Sequence, residues 1–496
     1  MITPSLEDFK KLADQGNLIP VFEEIHYDLE TPISAFRKID NGKSSFLLES
    51  VEGGEKWGRY SFLGSGASFV FRSKGEEFEI LKNGEIFRKG RIKDPLRALQ
   101  DFMGIYHPVQ HHSLPRFSGG AVGYLGYDVV RSFEKIPDHL REEIDLYGTS
   151  FMITDTLLIF DNLKKKIKVI FNLFLDDRQS PRRSIEEAYH ESCEKIQSIT
   201  ARLQRHDPSS PMRKPFTPSP LRSNFSKEDY MKVVEKAKEY IRAGDIIQVV
   251  PSQRFSTEVQ CEPFDIYRAL RSINPSPYLF YLKMNDMVLM GSSPEVMVRL
   301  EGRRIELRPI AGTRKRGKTR EEDLALEKDL LADEKEKAEH IMLVDLGRND
   351  VGRVSEIGSV KVNELMTVER YSHVMHIVSN IQGRLAPGKN GFDLFRATFP
   401  AGTVSGAPKI RAMEIIEGLE PVRRGFYAGA VGYFSFLGNM DTCITIRSIL
   451  VKDEKAYVQA GGGVVADSDP EKEYEETLHK AQAIFKAIEV AEEGLS

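Results

Sequence analysis

The chain has 496 residues, 41% of them hydrophobic, which is more than one small core usually serves and points to two domains or one composite fold. Lysine plus arginine number 70 against 74 acidic residues, a formal charge of -4 without a long basic run, so nucleic acid is not an expected partner. Cys193, Cys261 and Cys443 stand in no CxxC spacing and argue against a disulfide scaffold. The start MITPSLEDFKKLADQG lacks an apolar signal core and no apolar run reaches membrane-spanning length, so a soluble, cytoplasmic protein is expected.

In chain order, the first region reads as short strands broken by Gly and Asn turns: SSFLLES, SFVFRS, EFEILKNGEIFRKG, TDTLLIFD and KKIKVIFNLFL. Residues 184–204 read as a helix. Residues 202–230, crowded with proline, serine and arginine, form the clearest seam. We expect an N-terminal region at 1–205, a linker at 206–224 and a second domain at 225–496. Ser226 with Asp229 makes a capping-box-like start, and Tyr230, Val233, Val234, Ala237 and Ile241 mark the buried face of a helix ending near Gly244. Strand-like stretches follow: IIQVVPSQRF, YLFYLKM, MVLMGSS, EVMVRLEG and RRIELRPI. GAVGY occurs twice, at 120–124 and 429–433. Glycines in two central strands that let another backbone pack closely explain the repeat; a shared strand-turn unit is the alternative.

Two glutamate pairs stand at helical i, i+3 spacing. Glu336 and Glu339 share a face with His340 and Leu343 in DEKEKAEHIMLVDLGRND, so both acids project the same way. Glu473 and Glu476 open the last helix, where Asp469 can cap and Pro470 fits the first position. The run AGGGVVADSD before it supplies backbone N–H groups able to grip an anion. Oxygen-only ligands suit magnesium, which shares its shell with water and an anionic substrate. Taken singly, either pair reads first as a solvated helix face; the unusual segment beside each pair is what turns the reading toward a metal site.

The motifs RPIAGTRKRG, DEKEKAEHIMLVDLGRND, RYSHVMH, FPAGTVSGAPK, GFYAGAVGYF, DTCITIRS and QAGGGVVADSDPEKEYEET resemble, in order, those of the chorismate-utilising enzymes, and within them the large subunits of anthranilate synthases. LLES and GGAVGYLGYD extend the likeness into the N-terminal region. The resemblance implies an α+β composite of large, mostly antiparallel sheets flanked by helices. It implies that Glu339 and Glu476 ligate magnesium (Mg2+) directly, while Glu336 and Glu473 act mainly through water. Arg447 resembles the arginine that clamps the enolpyruvyl carboxylate of chorismate, assisted by Tyr427 and the glycine run Gly461, Gly462 and Gly463. Gly312, Thr313 and Lys480 match substrate-contact positions. Glu295 resembles the general acid for the departing ring hydroxyl, and His376 and Thr403 match positions close to the substrate during loss of pyruvate.

Two positions separate relatives. Isochorismate and salicylate synthases carry a water-activating lysine where this chain has Gln248, which favours ammonia as the nucleophile. Aminodeoxychorismate synthases read PIKGT where this chain reads PIAGT, and Ala311 offers no nucleophile. Anthranilate formation is the leading expectation, with an aminodeoxychorismate synthase or a catalytically silent tryptophan-binding subunit as alternatives. None of the three cysteines sits in the glycine-flanked turn of a glutaminase nucleophile, so ammonia is expected from a separate glutamine amidotransferase subunit. By the same resemblance, tryptophan binds as feedback inhibitor at Ser50 and at Pro277, Tyr278 and Leu279.

Overall fold

The computed structural model describes all residues except 1, 27–29, 51–57, 176–183, 206–218, 285, 372–373 and 496. Most of the expected 206–224 linker therefore lies outside the described residues. Local signals act where the residues place them. Ser184 and Glu187 form a reciprocal capping box on helix Ile185–Leu203, and the Ser226 hydroxyl accepts the Asp229 amide at the start of helix Lys227–Arg242. Asp469 caps helix Pro470–Glu493, with Pro470 at its first position. The run IIQVVPSQRF, expected as one strand, breaks into Gln248–Val249 and Ser252–Glu258. Pro251 has no N–H for the ladder, and the chain turns off there.

Among the described residues the strands form two 12-stranded sheets and one small two-stranded sheet, and the ladders between these strands are antiparallel. Both large sheets are composites of the two regions. In the first, strand Ser44–Glu49 pairs with Tyr278–Met284, Leu279 opposite Glu49, and this joins N-terminal to C-terminal strands. In the second the join is Gly120–Leu125 against Ala430–Ser435. The two GAVGY copies thus lie side by side, Gly123 opposite Gly432. A Cβ at either glycine would collide with a neighbouring strand's backbone, as the close-packing argument requires.

The halves also repeat one order of elements. Helix Leu6–Ala13, strand Leu18–His26, helix Pro32–Ile39 and hairpin Ser44–Glu49/Tyr60–Ser65 correspond to helix Lys227–Arg242, strand Ser252–Glu258, helix Pro263–Ile273 and hairpin Tyr278–Met284/Met287–Ser293. The correspondence reaches packing: a Cβ on Gly64 would strike Phe46, and one on Gly291 would strike Phe280. The GAVGY copies occupy equivalent strands, so the shared-unit reading and the close-packing reading both apply.

Period-2 alternation builds the layers. Phe46, Phe62 and Leu157 face a core shared with the second sheet, while Leu47, Leu63 and Leu158 face helices in a separate core. In the second sheet Tyr433 meets Phe62 across the interior, and Phe434 stacks on Phe392 of helix Gly391–Thr398. The result is helices, sheet, sheet, helices, the α+β composite of antiparallel sheets expected. Among the described residues no helix is long and apolar enough to cross a membrane.

Candidate active site

The functional side chains sit at strand ends and links, where the ladder no longer dictates conformation. Glu295 occupies the two-residue link between Met287–Ser293 and Val296–Glu301. Arg447 ends the link from Met440–Ile444 to Ser448–Lys452, with φ +52, a conformation uncommon for a side-chain-bearing residue. Thr403 lies in a single 3₁₀ turn, Gly402–Val404. Gly312 and Thr313 lie on strand Ile310–Lys315, which pairs with strand Val374–Arg384 bearing His376. Glu339 comes from helix Glu334–Gly352, and Glu476 and Lys480 from Pro470–Glu493.

These elements enclose one cavity of about 240 Å³. Its wall holds Gln248, Glu295, His376 and Thr403 together with Glu339 and Glu476. It also holds Gly312, Thr313, Tyr427, Arg447, Gly461, Gly463 and Lys480. Glu336, Glu473 and Gly462 are not in the wall but stand just behind it. A Cβ on Gly462 would lie 2.8 Å from Glu473 Oε2, and one on Gly463 would collide with the Gln248 amide, so the glycine run leaves room for these side chains.

Glu295 is buried, and its Oε1 accepts the Thr403 hydroxyl at 3.0 Å. Burial pushes its carboxyl up to about 8, with Thr403 acting weakly the other way. It is therefore largely protonated at neutral pH and can give a proton. His376 Nδ1 stands 2.8 Å from the Gly312 carbonyl and 3.1 Å from Thr313 Oγ1. Donation from Nδ1 to that carbonyl leaves Nε2 as an acceptor, and burial holds the ring below its ordinary pKa and hence neutral. Burial pushes the Tyr427 phenol up to about 12, so it stays a donor. Arg447 has no carboxylate within ion-pair distance among the described residues; its Nη1 reaches only the Lys480 carbonyl, at 3.5 Å. Burial draws the guanidinium below its ordinary value, so an incoming carboxylate gains by pairing with it.

In the same wall, Gln248 donates to Glu339 Oε1 at 2.9 Å, and Lys480 bonds Glu476 Oε1 at 2.6 Å and the Gly461 carbonyl at 2.9 Å. Arg314 lies 3.3 Å from Glu336. Burial, then the charge of Glu339, raises the Glu336 pKa; burial raises that of Glu473, with the charge of Glu476 adding to it. Glu473 Oε2 is buried without a hydrogen-bond partner. Among the described residues no three His, Cys, Asp or Glu stand close enough to cage a metal ion. Magnesium does not need such a cage, being held by one or two carboxylates, waters and substrate oxygens. Two glutamates in the wall, backed by two more whose like charges crowd them and an unsatisfied carboxylate oxygen, fit that ion. His340 takes no part: it is fully buried, with Nε2 2.6 Å from Ser379 Oγ.

The residues singled out for tryptophan lie elsewhere. Pro277 and Tyr278 line an adjoining cavity of about 790 Å³, which shares Pro294 and Ile310 with the first and also includes Arg116 and Arg299. The Tyr278 hydroxyl donates to Asp441 at 2.9 Å. Leu279 is buried on the opposite side of its strand, among the helices. Ser50 follows directly on Glu49, at the Tyr278 end of the ladder. Glu420 and Arg424, buried behind the candidate cavity, were not legible as site residues. The only signal is the doublet Arg423–Arg424 at the edge of an apolar glycine-rich stretch.

Comparison with known proteins identifies the class first: residues 44–486 match the model of the chorismate binding enzymes. Anthranilate synthase component 1 of Aquifex aeolicus (strain VF5) is 50% identical over 99% of this chain and 98% of its own length. That of Acetivibrio thermocellus is 51% identical over 99% of this chain and its whole length. The crystal structure of anthranilate synthase component I from Streptococcus pneumoniae TIGR4 superposes with a TM-score of 0.76, at 39% identity, over 93% of this chain and 98% of that one. The menaquinone-specific isochorismate synthase of Escherichia coli, at 20% identity and a TM-score of 0.70, shares the fold. The chain belongs to the anthranilate synthase component 1 family and is an enzyme of the lyase class.

Proposed function

We propose that the chain converts chorismate and ammonia into anthranilate, pyruvate and water, the chorismate-consuming step of tryptophan biosynthesis, in the cytoplasm. The observation that carries this reading is the buried Glu295, its carboxyl pushed up to about 8, in the same cavity as an Arg447 that has no carboxylate within ion-pair distance among the described residues. Arg447 takes the enolpyruvyl carboxylate, with the Tyr427 hydroxyl and the Gly461 to Gly463 segment beside it. The ammonia lone pair forms a bond to the ring carbon next to the one that bears the ring carboxylate, and both ring double bonds shift by one position. The C–O bond to the hydroxyl breaks so that it leaves as water with the proton of Glu295, and the new ammonium gives a proton back to the Glu295 carboxylate. His376 Nε2, neutral, then takes the proton from the amine-bearing ring carbon, the ring C–O bond to the enolpyruvyl group breaks to give the aromatic amine, and the released enolpyruvate takes up a proton to become pyruvate. Gln248, anchored on Glu339, provides no base to activate water, which leaves ammonia as the nucleophile. Magnesium, held by Glu339 and Glu476 with Glu336 and Glu473 acting through water, supplies positive charge to the ring carboxylate when bound.

Ammonia comes from a glutamine amidotransferase subunit in this reading, and residues 1–205 regulate residues 225–496 through tryptophan at Ser50, Pro277, Tyr278 and Leu279. The free cysteines support the first point: burial raises the thiol pKa of Cys193, Cys261 and Cys443, the reverse of an activated nucleophile. The test is product analysis with chorismate, magnesium and either ammonium or glutamine. Anthranilate from ammonium and none from glutamine is expected. Because free ammonia increases with pH while protonated Glu295 decreases through about 8, the rate should pass through a maximum and fall on the alkaline side. Accumulation of aminodeoxychorismate, or glutamine-dependent turnover by the single chain, would overturn the assignment.

A further inference from the structure

Glu295, Thr403, Gln248 and Tyr427 come from four separate segments and must be held in register for the chemistry proposed above. Behind them lies Arg424, 1% exposed and first in volume among the fully buried side chains. Its Nη1 donates to the carbonyl of Val404, the residue after Thr403, at 2.7 Å. Its Nη2 donates to the carbonyl of Val250, two residues from Gln248, at 2.6 Å. Nε and Nη2 also bond the buried carboxylate of Glu420, at 3.1 and 2.6 Å. The guanidinium stands 5.6 Å from the Tyr427 ring and 4.7 Å from that of Tyr127. Glu420 in turn accepts from the Ser252 amide at 2.9 Å and hydroxyl at 2.8 Å, which ties in the next strand.

A buried ion pair is weak evidence of a role in stability, since well-packed apolar side chains often serve as well. What a guanidinium supplies and an apolar group cannot is a rigid fork of donors aimed at two carbonyls at once. We propose that Arg424 is a positioning residue: its fork locks the Thr403 turn to the Gln248 strand against Tyr427, and so keeps the Thr403 hydroxyl on Glu295. The inference rests on reading Glu295 as the proton donor. Arg424 itself touches neither substrate nor reacting atoms.

The experiment compares kcat, KM and the pH profile of wild type, Arg424→Lys and Thr403→Val, with chorismate, ammonium and magnesium. Lysine keeps a charge for Glu420 but cannot span both carbonyls. Expected for Arg424→Lys is a kcat lower by roughly 10- to 100-fold with KM little changed. The Thr403 hydroxyl favours the charged form of Glu295, so its loss raises the Glu295 pKa. The alkaline limb of kcat should therefore move to higher pH in both variants. If Arg424→Lys does not fold, the double variant Arg424→Met with Glu420→Leu removes both buried charges and is expected to fold and show the same two changes. A folded Lys or double variant with wild-type kcat and an unmoved limb, altered only in Tm, overturns the proposal. An alkaline limb that Thr403→Val leaves in place would overturn the reading of Glu295 and the proposal with it.

Discussion

The two halves repeat one order of strands and helices, yet the cavity that gathers Glu295, Arg447 and Glu339 lies in the C-terminal half. Aligning LGSGASFVFR at 63–72 with MGSSPEVMVR at 290–299 places Ser68 opposite Glu295. Ser68 bonds Asp155, on the strand connection that corresponds to Ile446–Arg447, so the N-terminal counterpart is closed by its own side chains. The strand that ends at Gly461 in the C-terminal half ends at Phe174 in the other, where Tyr106 packs on both Phe174 and Phe436, at 4.7 and 4.8 Å. Asn172 is buried there and donates to the Ser118 carbonyl at 2.8 Å. The fold thus supplies a frame twice, and a site arises only where glycines replace aromatic and amide side chains and charged groups line the gap.

The sharpest way to break this comparison is to change matched positions. Glu295→Gln removes the proton donor without altering shape, and kcat should fall roughly 10²- to 10⁴-fold with the fold intact. Ser68→Ala, in the corresponding link, should leave kcat within about twofold, because it touches only a filled pocket. Steady-state rates of both proteins decide the matter. Comparable losses in the two would mean that the halves share the chemistry.

A second test addresses the four glutamates at and behind the wall of the C-terminal cavity. Replacing Glu339 or Glu476 with Gln should weaken magnesium binding, read by calorimetry and by the thermal shift that magnesium produces. Replacing Glu336 or Glu473 should cost less, about 10- to 100-fold, as expected of groups acting through water. A Glu476→Gln protein with full magnesium affinity would remove that residue from the ligand set.

How far the sequence carries the argument differs along the chain. The helix caps at Ser184, Ser226 and Asp469 were legible because a cap is a local signal of three or four residues. The convergence of Glu295, Arg447 and Glu339 follows from motif order and resemblance, since no local pattern brings residues from such distant segments together. The duplication was visible only as GAVGY. Elsewhere the halves keep the pattern of glycines and apolar residues while side-chain identity has diverged, as Ser68 against Glu295 shows. Arg424 was illegible for a related reason: its three partners are backbone carbonyls and a carboxylate whose positions only the packed structure specifies. The broken strand at Pro251 could have been read, because proline cannot pair in a central ladder.

The smallest effect on turnover is expected at the seam between the halves, and it tests whether the N-terminal half regulates its counterpart. Ser50 lies at the end of strand Ser44–Glu49, which pairs directly with Tyr278–Met284, so a ligand held there touches both halves at once. Glu49 is buried and fixed by Tyr267 at 2.7 Å and Arg271 at 3.1 Å, so the strand end cannot adjust freely to an occupant. If tryptophan binds there, it favours a state with lower affinity for chorismate, and chorismate must weaken tryptophan by the same factor. Coupling of this kind is typically about 1 to 3 kcal/mol, or roughly a 5- to 150-fold shift in apparent affinity. Ser50→Phe should fill the pocket and abolish inhibition while uninhibited kcat stays within about twofold, because Ser50 is outside the catalytic cavity wall. Tryptophan titrations of turnover in both proteins, together with chorismate titrations of tryptophan binding to wild type, measure the coupling from each side. Equal sensitivity of wild type and Ser50→Phe would place regulation away from the seam.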